Sequence, residues 1–202
     1  MDLLEIDAVL LDMDGTLVES HAAVERAWRT WAAEHGVDAD AVLAVAHGAP
    51  AHTTARRFLP GADDETIATA AARQLDLQYD DLADVTAAPG ATDLLTVLAE
   101  RRLPWAVVTS ADVRLAQARL GAAGITPPLL VTVEDVPRGK PAPDGYLHAA
   151  ASLGVAPRRC LVVEDADVGI RAGRAAGART AGLRGIDADL KVSDLAELAR
   201  LL

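Results

Sequence analysis

Two aspartates one residue apart, Asp12 and Asp14, stand directly after the apolar run Ala8 to Leu11, and Gly15 and Thr16 follow them. Carboxylates at i and i+2 leaving an extended strand point to the same side, and a glycine lets the chain turn sharply behind them. Polar residues follow three further apolar runs in the same way. Thr109 and Ser110 come after Trp105 to Val108, Lys140 lies in the loop beyond Leu129 to Val133, and Glu164 and Asp165 come after Cys160 to Val163. If these runs are parallel strands, the residues share one crevice, because open α/β sheets bind ligands beyond the carboxyl ends of their strands. Acidic groups gathered there repel one another unless a hard cation lies between them, and Mg²⁺ takes a few carboxylate oxygens together with water and phosphate oxygens. Asp12 then has the chemistry to attack phosphorus and form an aspartyl-phosphate. Asp14 can protonate the departing alkoxide and afterwards take a proton from water. Thr109, Lys140 and backbone N–H groups near Met13 and Ser110 supply donors for phosphate oxygens.

The elements that must position these residues follow from hydrophobic periodicity. The four runs, with a weaker one at Arg179 to Leu183, read as buried strands. Helical patterns lie between them at Ala91 to Arg101, Val113 to Ala122, Tyr146 to Leu153 and Val168 to Ala176, three of them ending near Gly124, Gly154 and Gly177. Strands alternating with such helices predict an α/β fold with a doubly wound, Rossmann-like, mainly parallel sheet of five or more strands. From about Ser20 to Ala87 the pattern is helical with no convincing strand, in pieces at Ala22 to His35, Asp40 to Ala46, Thr53 to Leu59 and Asp63 to Leu77. The expected division is an α/β core over residues 1–19 and 88–202, with an all-helical cap inserted over residues 20–87.

The 202 residues, 51% hydrophobic, suffice for one core and a small second lobe. A net charge of -11 without any basic run argues against broad binding to nucleic acid or an anionic membrane and favours a small-molecule partner. The single cysteine, Cys160, allows no internal disulfide, and it reads as a small buried hydrophobe. No signal-type segment opens the sequence and its apolar runs are of strand length, so a cytoplasmic protein, monomeric or weakly dimeric, is expected.

Taken in order, Asp12-Met13-Asp14-Gly15-Thr16, Thr109, Lys140-Pro141 and Glu164-Asp165 resemble the four motifs of the haloacid-dehalogenase-like hydrolase superfamily. The resemblance spans nearly the whole chain. It implies an aspartate-nucleophile phosphatase with a helical cap inserted after the first motif. It further implies side-chain ligation of Mg²⁺ by Asp12 and Asp165, a backbone carbonyl ligand and acid/base role for Asp14, and a supporting position for Glu164. Val24-Glu25-Arg26-Ala27-Trp28, His47-Gly48, Arg56 with Phe58, and Arg138-Gly139-Lys140-Pro141 are similar to segments of the bacterial sugar and hexitol phosphatases. This similarity implies hydrolysis of a small sugar or hexitol phosphate.

The nearest alternative is a sugar-phosphate mutase of the β-phosphoglucomutase type, which carries a histidine where this chain has Val24 and a cap arginine where it has Ala51. A non-enzymatic phospho-aspartate receiver shares the inventory of acids, hydroxyl and lysine. Receivers, however, place their acidic pair on an earlier strand and lack the helical insertion. Glu19 stands where relatives commonly carry Asp, and Ala49-Pro50 offers no polar side chain to the first cap loop. Candidate substrate contacts are Met13 and Ser110 in the core, Glu19 at the junction, and His47, Gly48 and Arg56 in the cap. Trp28 and Trp31, at helical i, i+3 spacing, read as packing residues, and Arg57 as a solvated one. His21, His35, His52 and His148 have no partner that spacing can name.

Overall fold

The computed structural model describes residues 5–46, 49–79 and 81–202. Six parallel strands form the main sheet: β1 (Ala8–Leu11), β4 (Trp105–Val108), β5 (Leu130–Val131), β6 (Cys160–Glu164), β7 (Arg179–Gly182) and β8 (Leu190–Lys191). Their order is β5-β4-β1-β6-β7-β8, so the chain builds outward from β1 to one edge and then returns to extend the other. The central strand pairs with β4 on one side, Leu11 opposite Val107, and with β6 on the other, Leu11 opposite Val163.

A period of two sorts the strand side chains into two cores. Val9, Leu11, Val107, Leu161 and Val163 face helices α5 (Ala91–Glu100), α6 (Val113–Ala122) and α9 (Leu195–Leu201), through Leu94, Leu98, Leu115, Leu120 and Leu198. Ala8, Leu10, Ala106, Val108 and Val162 face α7 (Asp144–Ser152) and α8 (Asp167–Ala175), through Tyr146, Ala149 and Ala172. Burial on both faces explains why these strands read as continuous apolar runs rather than as alternating patterns.

Helices α1 (His21–His35), α2 (Ala39–Ala46), α3 (Ala51–Phe58) and α4 (Asp64–Tyr79) follow β1 and the short strand β2 (Val18–Glu19). They gather around an apolar cluster of their own, in which Trp28, Trp31, Val42, Ala55 and Ile67 are buried. Trp31 is fully buried, donates from Nε1 to the Ala70 carbonyl at 2.8 Å and meets Trp28 edge to face.

Four local features depart from the sequence reading. The segment read as strandless ends in β3 (Thr86–Ala87), antiparallel to β2. A two-residue strand has no periodicity to detect, and long-range pairing alone defines it. The third apolar run is strand only over Leu130–Val131, because Thr132 opens a 3-10 turn through Val133–Asp135, its backbone N–H reaching Asp135 Oδ2 at 2.8 Å. This is a capping box, which offers the backbone an alternative to the ladder. Strand β8 and helix α9 were not anticipated; their lengths of 2 and 7 residues leave little pattern to find. Among the described residues no helix is long and apolar enough to cross a membrane.

Candidate active site

The carboxyl ends of β1, β4 and β6 open onto a crevice of about 440 Å³ between the sheet and the helices α1 to α4, a size usual for small-ligand sites. Asp12, Asp14, Thr109, Ser110, Lys140, Glu164 and Asp165 all line it, so the structure brings together residues at the ends of β1, β4 and β6 and a lysine from the loop between β5 and α7.

Asp12, directly after β1, receives a bond from Lys140 Nζ at 2.5 Å, and the same ammonium bonds Glu164 Oε1 at 2.6 Å. Glu164 is the last residue of β6, 1% exposed, and also accepts from Tyr146 Oη at 2.7 Å. The lysine is thus pinned between two carboxylates. Burial works against its charge, but Asp12 and Glu164 outweigh it and hold the ammonium's pKa above the ordinary lysine value. Burial, with the Glu164 charge behind it, pushes Asp12 up to about 7 despite Lys140. Asp165 is pushed up to about 6, first by burial and next by the Asp12 charge.

Ligand atoms of Asp12, Glu164 and Asp165 lie within 4.8 Å of one another. Three hard carboxylate donors at this spacing suit Mg²⁺; burial first and a neighbouring acid's charge second raise two of them, and a dication relieves the repulsive part. Glu164 is closer to this cluster than a purely supporting position implies, yet its Oε1 is already committed to Lys140 and Tyr146.

Two glycines make this approach possible. Gly15 has φ +82°, and a Cβ there would fall 2.1 Å from Asp165 Oδ2. Gly169, in the first turns of α8, lies flat against Glu164, where a Cβ would sit 1.7 Å from Oε1.

Asp14 turns to a different set of partners. Its Oδ1 accepts from Ser20 Oγ at 2.6 Å and pairs with Arg119 Nη1 at 2.7 Å. Arg119 lies on α6 and is 2% exposed; its Nη2 donates to Gln78 Oε1 on α4 at 2.5 Å, and Gln78 in turn donates to Gln74 Oε1 at 2.8 Å. None of these partners was anticipated. The signal was present, since Arg119 shares the buried face of α6 with Leu115, Ala116 and Leu120, and Gln74 and Gln78 share that of α4 with Ile67, Ala70 and Ala71. Polar residues on an apolar stripe are the informative exceptions.

The remaining candidates are placed differently. Met13 is fully buried beneath the crevice. Thr109 accepts at Oγ1 from the Ala111 N–H at 3.0 Å. Glu19 does not line the crevice: its carboxylate takes Arg184 Nη2 at 2.9 Å and lies 2.8 Å from His21 Nδ1. Through these two it borders Asp165, which lies 3.6 Å from His21 Nε2 and 3.8 Å from Arg184 Nε. Arg56 does not line it either; its exposed guanidinium pairs with Asp64 at 2.6 Å. The pairing follows from α3 and α4 being joined by a short turn that sets the two residues side by side. Ala49, Pro50 and Ala51 do face the crevice. His47 and Gly48 lie outside the described residues.

This arrangement, an aspartate directly after the central strand of a parallel sheet, with acids from the end of β6 and a lysine from the loop before α7, suits the hydrolysis of phosphate esters. Residues 6–177 match the haloacid dehalogenase-like hydrolase model, and the chain belongs to that family. Hexitol phosphatase A of Escherichia coli is 47% identical over 169 residues, which cover 83% of this chain and 78% of that protein. 2-Deoxyglucose-6-phosphate phosphatase 1 of Saccharomyces cerevisiae is 37% identical over 196 residues, 88% of this chain and 79% of that one. A crystal structure of β-phosphoglucomutase from Clostridium difficile superposes with a TM-score of 0.86 at 22% identity, covering 96% of this chain and 93% of the other, a likeness of fold. Family membership makes the chain an enzyme and removes the receiver reading.

Proposed function

We propose that the chain is a Mg²⁺-dependent phosphatase that hydrolyses small sugar or hexitol phosphates through an aspartyl-phosphate on Asp12. The observation that carries this reading is the cluster of Asp12, Glu164 and Asp165 at the ends of β1 and β6, closed by Lys140. Asp12 and Asp165 would hold Mg²⁺ by their side chains and Asp14 by its backbone carbonyl, with Glu164 fixing Lys140 alongside. The ion's contribution would be charge neutralisation around the phosphate oxygens.

One carboxylate oxygen of Asp12 forms a bond to phosphorus while the ester oxygen departs, taking a proton from Asp14. Water then attacks the acyl phosphate, giving a proton back to Asp14 and restoring the Asp12 carboxylate as inorganic phosphate leaves. Lys140, Thr109 and the N–H groups near Met13 and Ser110 hold the phosphate oxygens. In this reading residues 1–19 and 88–202 are the catalytic core, and residues 20–87 are a cap that excludes water and selects the alcohol. The enzyme would act in the cytoplasm on a small metabolite, as a monomer or weak homodimer.

The mutase reading is weaker because a bisphosphate intermediate brings a second phosphate to the cap. There the crevice is lined by Val24, Trp28, Ala51, Gln74 and Gln78, with no arginine or lysine of α1 to α4 among the described residues, and Arg56 is turned to Asp64. Incubation with Mg²⁺ and a panel of hexose, hexitol and glycerol phosphates should release inorganic phosphate, with kcat/KM highest for a sugar or hexitol ester. Isomerised sugar phosphate without phosphate release would overturn the assignment.

A further inference from the structure

Arg119 is a cation on an otherwise apolar helix face, and the phosphoryl-transfer scheme gives it no task. Only 2% exposed, it spends one terminal nitrogen on Asp14 and the other on Gln78, while its buried Nε has no partner among the described residues. A buried, incompletely paired guanidinium is a poor source of stability, since apolar side chains of similar volume commonly do as well or better. Nor does the scheme ask a proton of it, since Asp14 gives and takes back the one that moves. What it can do is fix a carboxylate.

We propose that Arg119 is a positioning residue for the hydrolytic reaction, holding Asp14 for proton transfer, and that Gln78 fixes the guanidinium in turn. The inference rests on the reading of Asp14 as general acid/base. Ser20 Oγ and Arg119 Nη1 both engage Oδ1 of Asp14, at 2.6 and 2.7 Å, which directs Oδ2 to the ester oxygen and later to water. The Gln78 contact ties this geometry to α4, so the acid of the core is oriented in part by a helix beyond the crevice. Gln74, bonded to Gln78 at 2.8 Å, limits the rotamers open to that glutamine.

The test separates positioning from simple folding and from recognition of substrate hydroxyls. Butyl phosphate has a poor leaving group that needs a proton and no hydroxyls to recognise, whereas p-nitrophenolate departs unprotonated. Arg119→Met should lower kcat/KM for butyl phosphate by about 10²-fold, as expected of a displaced catalytic group, and leave p-nitrophenyl phosphate near the parent value. Arg119→Lys should recover most of the loss, and Gln78→Leu should show a smaller loss of the same selectivity. Arg114→Met, on the same helix but stacked 3.9 Å over the Tyr79 ring, should change neither rate. Should Arg119→Met fail to fold, the lysine and Gln78→Leu variants carry the comparison.

Equal losses for both esters, or a loss confined to hexitol phosphate, would overturn the proposal. Asp14→Asn is the control for the underlying reading. If it too spares butyl phosphate, the acid/base assignment falls and the proposal with it; if it abolishes butyl phosphate turnover while Arg119→Met does not, the proposal alone falls.

Discussion

Gly169 shows how narrowly the site is built at the level of single residues. Helix α8 approaches the end of β6 so closely that Glu164 occupies the space of a missing side chain, and Glu164 is what holds Lys140 against Asp12. Gly169→Ala must therefore displace a buried carboxylate with its lysine. The expected result is a drop in kcat on the order of 10²-fold, with a stability loss of about 1–3 kcal/mol, measured by steady-state kinetics and urea denaturation. The residues that sit directly after strands were legible in the sequence because an apolar run announces where its end lies. Arg119, Gln78 and Tyr146 were not, because each acquires meaning only from a partner that packing brings near: Arg119 and Gln78 are 41 positions apart, and Tyr146 and Glu164 are 18 apart. Arg56 is placed away from the crevice for the converse reason. Its type and neighbourhood resembled a substrate contact, but the adjacent helix supplies Asp64 first.

At the level of elements, periodicity succeeded where burial is one-sided or complete over a full element and failed where an element is short. Helix α6 runs over Val113–Ala122, as its pattern requires, whereas β2, β3 and β8, at 2 residues each, are defined by pairing alone. The four helices between β2 and β3 depend on Trp31, which spans their cluster and satisfies the Ala70 carbonyl. Trp31→Ala should cost about 3–5 kcal/mol by leaving a cavity among these helices. Amide exchange should rise first in α1 and α4, while β1 and β6 keep their protection. Uniform loss of protection across the sheet would show that the helices have no separate cluster to lose.

For the whole molecule, the crowding of acids at one end of the sheet links metal, pH and stability. Burial, with the charge of a neighbouring carboxylate added to it, raises Asp12 to about 7 and Asp165 to about 6, so the folded chain holds protons that the unfolded chain releases. Without metal, these two groups make stability fall as pH rises from the ordinary aspartate range toward 7. Mg²⁺ needs the deprotonated pair, so its affinity should grow over the same interval and its binding should release protons. At an ion concentration 100 times Kd, the gain is about 2.7 kcal/mol, or roughly 5–10 °C in Tm for a chain of this size. Calorimetry at pH 5.5 and at pH 8 checks this, the Mg²⁺-dependent shift being expected only at the higher value.

In this mechanism Asp12 carries the phosphoryl group. Acid quenching of the enzyme during turnover of a hexitol phosphate with Mg²⁺, followed by peptide mass spectrometry, reads that intermediate. An acyl phosphate on Asp12 is predicted, absent together with phosphate release in Asp12→Asn. Phosphate release at the parent rate by Asp12→Asn, with no acyl phosphate on the wild-type Asp12 peptide, would rule out Asp12 as the nucleophile.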